Sequence, residues 1–189
     1  YNTLECVISM SRYHNVPEIT KIISGMIRIY RYSASYEHLG TVRSEFDCAE
    51  NYADIMNLRY DDRYQFTFRV EPGLEDAEMP RMVLQPLVEN AIYHGIKPKR
   101  GKGMISVTGE RNQDRVTIRV ADTGAGMEPP ELEALRRQLE NDEATGFGLS
   151  SSYKRLRLMY GADYEFTIDS QRGVGTAITI RIPFRKEQT

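Results

Sequence analysis

The hydrophobic period of this chain changes once, near residue 62, and that switch decides what it can fold into. Between Val16 and about Ser35 the apolar residues Ile19, Ile22, Ile23, Met26, Ile27 and Tyr30 recur at the i, i+3, i+4, i+7 spacing of one helical face. A second stripe, Ala49, Tyr52, Ala53, Met56 and Tyr60, follows Ser44 and predicts a helix N-capped by that serine. Two long amphipathic helices cannot bury both apolar faces alone, so this part requires a bundle or a partner chain.

Beyond Asp62 the pattern becomes that of strands. Tyr64, Phe66, Phe68 and Val70 alternate with Gln65, Thr67 and Arg69, the mark of a strand buried on one side. A helix starting near Pro80 or Leu84 turns Leu87, Val88, Ala91 and Ile92 inward. Because a proline inside a helix costs about 3 kcal/mol, Pro86 predicts a start or a kink there. Residues 104–109 and 115–121 read as a hairpin turning at Asn112-Gln113, and 164–170 with 175–184 as another turning at Arg172-Gly173. Helical stretches at about 130–141 and 149–160 lie between the hairpins. The predicted class is α+β: a two-layer α/β sandwich over residues 63–189, one sheet face covered by helices, preceded by a helical region over residues 1–62.

Composition agrees. A chain of 189 residues, 40% hydrophobic and 28% charged, can bury one sizeable core plus a helical appendage. With a net charge of -2 and a pI of about 6.0 it has no field that draws it to nucleic acid or anionic lipid, and neither is expected as a partner. Cys6 and Cys48 have no Cys or His at metal-ligand spacing and read as reduced core thiols, as in a cytosolic protein. No apolar run approaches the roughly 18 residues of a membrane span, and nothing reads as a signal peptide. Tyr1 is not Met and the chain opens inside a helical pattern, so it is expected to be a piece of a longer protein.

The stretch 120–127, "VADTGAGM", admits two chemistries. Asp-Thr-Gly after an apolar strand is half of a dimeric aspartic protease site, and Asp-x-Gly-x-Gly after such a strand is an adenine pocket. The first belongs to an almost wholly β fold in which two carboxylates share a proton, and long helices on both sides argue against it. In the second, a fixed Asp122 accepts a hydrogen bond from the adenine amino group, where guanine would present an acceptor. Gly124 and Gly126 would let the backbone pass close to a flat base; alone they are an ordinary glycine turn. Upstream, "LQPLVENAIYHGI" puts Asn90, His94 and Lys97 on one polar helical stripe, and an Asn oxygen can complete a Mg²⁺ shell otherwise made of water and phosphate. Three such residues alone are also what a solvated face looks like. Downstream, Gly146-Phe147-Gly148-Leu149 runs into a helix whose free N–H groups could hold phosphate, or could simply be a cap. The ordered set of three is more specific than its parts.

Together with the closing "SQRGVGTAITIRIP", these segments resemble the N, G1 and G2 boxes and final strand of the ATPase superfamily shared by gyrase, the 90 kDa heat-shock chaperone, histidine kinases and mismatch-repair proteins (GHKL). More narrowly, the whole chain resembles LytS/YesM-type sensor histidine kinases. The opening "YNTLECV" is similar to the stretch following their phosphoacceptor, which places that His three positions before Tyr1. His14 and His38 match no functional position and read as solvated residues.

The resemblance implies ATP and Mg²⁺ as cofactors. Asn90 would hold Mg²⁺, Asp122 would read adenine, and Gly124, Gly126 and Met127 would shape the base pocket. Thr176 would hold adenine through water, and His94 and Lys97 would face the phosphates. Gly146, Gly148 and Leu149 would form the hinge of a lid, and Glu89 would orient a metal-bound water. The lid is short, and its "EPPELEALRRQLENDEA" is acidic and helix-like; "GLSSSYKRL" replaces the usual Gly-Leu-x-Asn, which leaves Ser151 and Ser152 without an inherited phosphate role. The basic cluster Lys97, Lys99, Arg100 and Lys102 also suits a solvated loop. The implied partners are a second subunit paired through residues 1–62 and a response regulator; the implied location is the cytoplasmic part of a membrane-anchored bacterial sensor, with any membrane contact through upstream segments. Two rival functions remain. An ATP-hydrolysing conformational machine would want an acidic base one turn before Asn90, where Pro86 stands; a non-catalytic nucleotide-binding module would bind and do no chemistry.

Overall fold

A computed structural model describes residues 2–60, 63–99, 101–141 and 148–186. The chain opens with helices α1 (Asn2–Tyr13) and α2 (Pro17–Ser33). Strand β1 (Leu39–Thr41) leads into α3 (Val42–Arg59), and then come β2 (Tyr64–Val70), β3 (Glu78–Pro80) and α4 (Leu84–Asn90). A π-helical turn over Ala91–Ile96 extends α4, followed by β4 (Gly103–Asn112), β5 (Arg115–Asp122), α5 (Pro129–Glu140) and α6 (Leu149–Tyr160). The chain closes with β6 (Glu165–Gln171) and β7 (Gly175–Pro183).

Five strands form one sheet in the order β2-β4-β5-β7-β6, and β1 pairs with β3 separately. The predicted hairpins β4–β5 and β6–β7 are antiparallel, and β5 pairs with β7 so that Asp122 lies opposite Thr176. Strand β2 lies parallel to β4, a pairing no local signal announced, since a parallel neighbour needs the crossover through α4. Alternation sets the layers: Val116, Ile118 and Val120 of β5 and Ile178, Ile180 and Ile182 of β7 are buried, while the residues between them are more exposed. The result is the two-layer α+β sandwich, one sheet face covered by helices and the other open.

Several boundaries moved for identifiable reasons. The cap of α3 is Thr41: its hydroxyl accepts from Ser44 N at 3.2 Å, while Ser44 Oγ accepts from Thr41 N at 2.9 Å, so Ser44 is the third-position partner of a capping box. The first hairpin turns at Gln113-Asp114, with Gln113 at φ 56°, because Asn112 still pairs with Arg115. The second has a three-residue turn, 172–174, with Gly173 at φ 79°. Pro86 sits in the first turn of α4, where no intrahelical N–H bond is lost, so it marks a start and produces no kink. Cys48 is buried as expected, but Cys6 is exposed, since α1 packs on α2 alone of the larger elements.

The core runs across residue 62. Val42, Phe46, Ala49, Tyr52 and Met56 of α3 belong to the same buried cluster as Tyr64, Leu87, Ile118 and Ile180. In contrast, α1 and α2 leave Met10, Tyr13, Ile19, Met26 and Tyr30 exposed. Among the described residues no helix is long and apolar enough to cross a membrane.

Candidate nucleotide site

A cavity of about 900 Å³ opens between the C-terminal half of α4, its π turn, the loop after β5, α5 and the start of α6. Its floor is Asp122, delivered by the end of β5, whose alternating residues are fixed by the core beneath. Gly124 N donates to Asp122 Oδ1 at 2.7 Å, and the backbone N–H of Thr176 also bonds this carboxylate. Burial pushes the Asp122 carboxyl above its ordinary range, and those two N–H groups and Lys99 pull it partly back. A half-buried, pre-oriented acceptor lining the cavity is what reading an exocyclic amino group needs.

The surrounding backbone is held close. Ala125 N donates to Gly95 O at 2.8 Å, which ties the loop after β5 to the π turn. Gly95 had not been singled out in the sequence, yet a Cβ there would lie 2.6 Å from Asp122 Cγ, so only glycine leaves room for the carboxylate. Gly126 has φ 61°, and a side chain on it would collide with Gln171 O. Ser170 Oγ accepts from Met127 N at 2.9 Å and lies 2.8 Å from Thr176 Oγ1, which binds the loop to β6 and β7. The Asp122 end of the cavity is therefore a cross-linked frame.

The opposite wall comes from α4 and the π turn. Glu89, Asn90 and His94 line the cavity, and Gln85 Nε2 donates to Glu89 at 3.3 Å. Lys97 does not line it, and its ammonium lies 4.9 Å from the Tyr93 ring centroid instead. An α-helical stripe would carry position 97 to the cavity, but the wider turn from Ala91 onward, sealed by Lys97 N to Ile92 O at 2.8 Å, advances each residue by a smaller angle. Position 94 stays over the cavity and position 97 falls behind. Lys99 is engaged too, its Nζ donating to Thr123 O at 2.8 Å.

Met127, Gly148, Leu149 and Thr176 also line the cavity. Gly124 lies beneath it, buried against Gly95. Gly146 falls outside the described residues. Ser152 is buried, and its hydroxyl donates to Val83 O at 2.9 Å, which gives it a structural bond. The acidic stretch read as lid is in large part α5, whose Leu135 and Leu139 form an apolar wall of the cavity. Their helical spacing with Leu132 was the available signal. Tyr93 and Arg172 also face the cavity, and nothing local in the sequence marked them.

A mixed five-stranded sheet under helices, with an acidic side chain and glycines at the floor of a cavity beside an Asn-bearing helix, defines an ATPase sandwich of the GHKL kind. Comparison with known proteins agrees: residues 75–186 match the family "Histidine kinase-, DNA gyrase B-, and HSP90-like ATPase", and residues 1–64 match "Histidine kinase". The chain belongs to the first of these families. Sensor histidine kinase YesM of Bacillus subtilis (strain 168) is 30% identical over 188 residues, covering 99% of this chain and 31% of that protein. The chain thus spans about a third of the length of that relative. Among solved structures, the catalytic domain of histidine kinase ThkA aligns with TM-score 0.56 and 20% identity over 77% of this chain and 94% of that one. Full-length ShkA in complex with AMPPNP aligns with TM-score 0.57 and 18% identity over 100% of this chain and 44% of that one.

Proposed function

We propose that this chain is the ATP-binding catalytic part of a two-component sensor histidine kinase. The observation that carries the reading is the fixed Asp122 carboxylate on the floor of a 900 Å³ cavity, with Asn90 on the wall. That cavity suits a nucleotide, and the ShkA complex with an ATP analogue supports the reading. The site residues are those named above: Asp122 accepts from the adenine amino group, Thr176 supports the base, and His94, Gly148 and Leu149 stand toward the phosphates. The donors also suit Mg²⁺. Among the described residues no three His, Cys, Asp or Glu side chains gather into a cage, and a single Asn with Glu89 beside it matches an ion that takes few protein ligands. When bound, Mg²⁺ would neutralise phosphate charge.

In the proposed reaction the bond from Pγ to the β–γ bridging oxygen breaks and a bond from Pγ to an imidazole nitrogen forms. ADP leaves, and the imidazole proton is lost to solvent. A response-regulator Asp then takes the phosphoryl group. The chain's contribution is positioning and exclusion of water. The acceptor His lies upstream of Tyr1 by resemblance, and a membrane anchor, where present, also lies upstream. Helices α1 and α2, with Met10, Ile19, Met26 and Tyr30 exposed, suit pairing with a second subunit.

The test extends the chain upstream through that His and supplies Mg²⁺ and ATP labelled at the γ-phosphate. The account expects acid-labile, alkali-stable protein phosphate that disappears when the His is replaced and passes to a response regulator. Release of inorganic phosphate without phosphohistidine would support the conformational machine, and nucleotide binding with neither product the binding module.

A further inference from the structure

The start of α4 carries an obligation that its own residues do not meet. Val83, at the N-cap, offers no side-chain cap, and Met82 before it is held at φ 59°, an unfavourable region for a side-chain-bearing residue. The missing acceptor comes from α3. Glu45, 1% exposed, takes Met82 N on Oε1 at 2.6 Å and Val83 N and Leu84 N on Oε2 at 2.7 and 2.8 Å. Its remaining partner is on α2: Tyr32 Oη donates to Oε1 at 2.7 Å, and the Tyr32 ring stacks under Arg81 at 4.8 Å. Arg81 in turn donates from Nε to Leu39 O at 2.7 Å and pairs with Glu37. On the other side, Ser152 of α6 holds the Val83 carbonyl. One buried carboxylate thus joins α2, α3 and the first turn of the helix whose last residue is Asn90.

A buried carboxylate is an expensive way to cap a helix, since desolvation opposes it. Burial indeed pushes Glu45 upward against four hydrogen bonds. A neutral side-chain oxygen could cap this turn in part; what the carboxylate adds is a pair of oxygens that take the three N–H groups and still hold a directional link to Tyr32. We propose that Glu45 is a positioning residue for the metal end of the nucleotide site, setting the placement of Asn90 through the start of α4 and making it depend on where α2 lies. This rests on the nucleotide reading above and adds to it a route from the helical region into the pocket. The Asp122 end depends on it less, because Asp122 is fixed by β5, β7 and the glycine loop, and it meets the helix only after Asn90, at Gly95 of the π turn.

The discriminating quantity is the ratio of affinities for ADP with Mg²⁺ and ADP in EDTA, measured by calorimetry on this chain. For Glu45→Gln, which loses two of four charged hydrogen bonds, the affinity for Mg²⁺–ADP should fall about tenfold while that for ADP in EDTA changes less than about twofold. Tyr32→Phe keeps the stacked ring and every backbone bond to Glu45, and should show the same split at about threefold. A purely structural role would lower both affinities together, and that result, or an unchanged ratio in Tyr32→Phe, overturns the proposal. If Glu45→Gln does not fold, the Tyr32→Phe ratio decides alone. Failure of the unsubstituted chain to bind ADP at all is a different result: it overturns the nucleotide reading and removes the basis of this one.

Discussion

The two ends of the cavity are built in opposite ways. At the end proposed for the base, Asp122, Gly124, Gly126 and Thr176 belong to one short loop and its adjoining strands, locked by hydrogen bonds of 2.7 to 2.9 Å. At the end proposed for the phosphates, Asn90 and His94 ride on a helix that changes from α to π within the site and takes its cap from a residue almost forty positions earlier. The Asp122 end is mostly a property of local sequence and sheet register, joined to the helix at Gly95. The phosphate end is a property of how helices distant in sequence are arranged, so it is the end that a change in the helical region can reach.

The strongest way to break this contrast is to damage the frame of the base end. Gly175 has φ 140°, and any Cβ would strike Asp122 O. Gly175→Val should cost about 3 kcal/mol, a fall of about 10 °C in melting temperature, and should abolish the further rise on adding ADP. At the other end Asn90→Ala should weaken Mg²⁺–ADP about tenfold and leave ADP in EDTA unchanged, with no loss of melting temperature, since Asn90 is not in the core. A drop in both affinities would mean that the ends are not separable.

Acidity sharpens the contrast further. The Asp122 carboxyl sits above its usual value of about 3.9, so its acceptor form is lost before that of an ordinary aspartate as pH falls. ADP affinity in EDTA should decline over that range in the native chain and not in Asp122→Asn. The stability consequence has the opposite sign. A carboxyl whose value is raised on folding contributes most below its unfolded value and loses that contribution as pH rises through the folded one, so at neutral pH the ligand-free Asp122→Asn chain should melt no lower than the native one. The smallest effect belongs to Lys97→Ala. With its ammonium over Tyr93, it should change ADP affinity by less than about twofold.

What could be read from the sequence follows the same division. Strand alternation placed Val116, Ile118 and Val120 inward and so delivered Asp122 to the cavity floor, because in a strand the period alone decides the face. The helix of residues 149–160 and the start of α4 at Leu84, just before its proline, were likewise local facts. The π turn was not: nothing in "AIYHGI" distinguishes it from α-helix, and it moved Lys97 out of the site. Nothing in the sequence around Glu45 marks it, and its burial appears only when α3 meets α4. Gly95 could have been suspected from its place after His94, but the need for it comes from Asp122, 27 positions later.

The central claim is that Asp122 reads adenine in a nucleotide site. Titration of this chain with Mg²⁺–ADP and Mg²⁺–GDP, repeated on Asp122→Asn, tests it most directly. The account predicts binding of ADP, at least about tenfold weaker binding of GDP, and loss of that preference in the variant. Equal affinity for both nucleotides, a preference that survives Asp122→Asn, or no binding by a folded sample would contradict it.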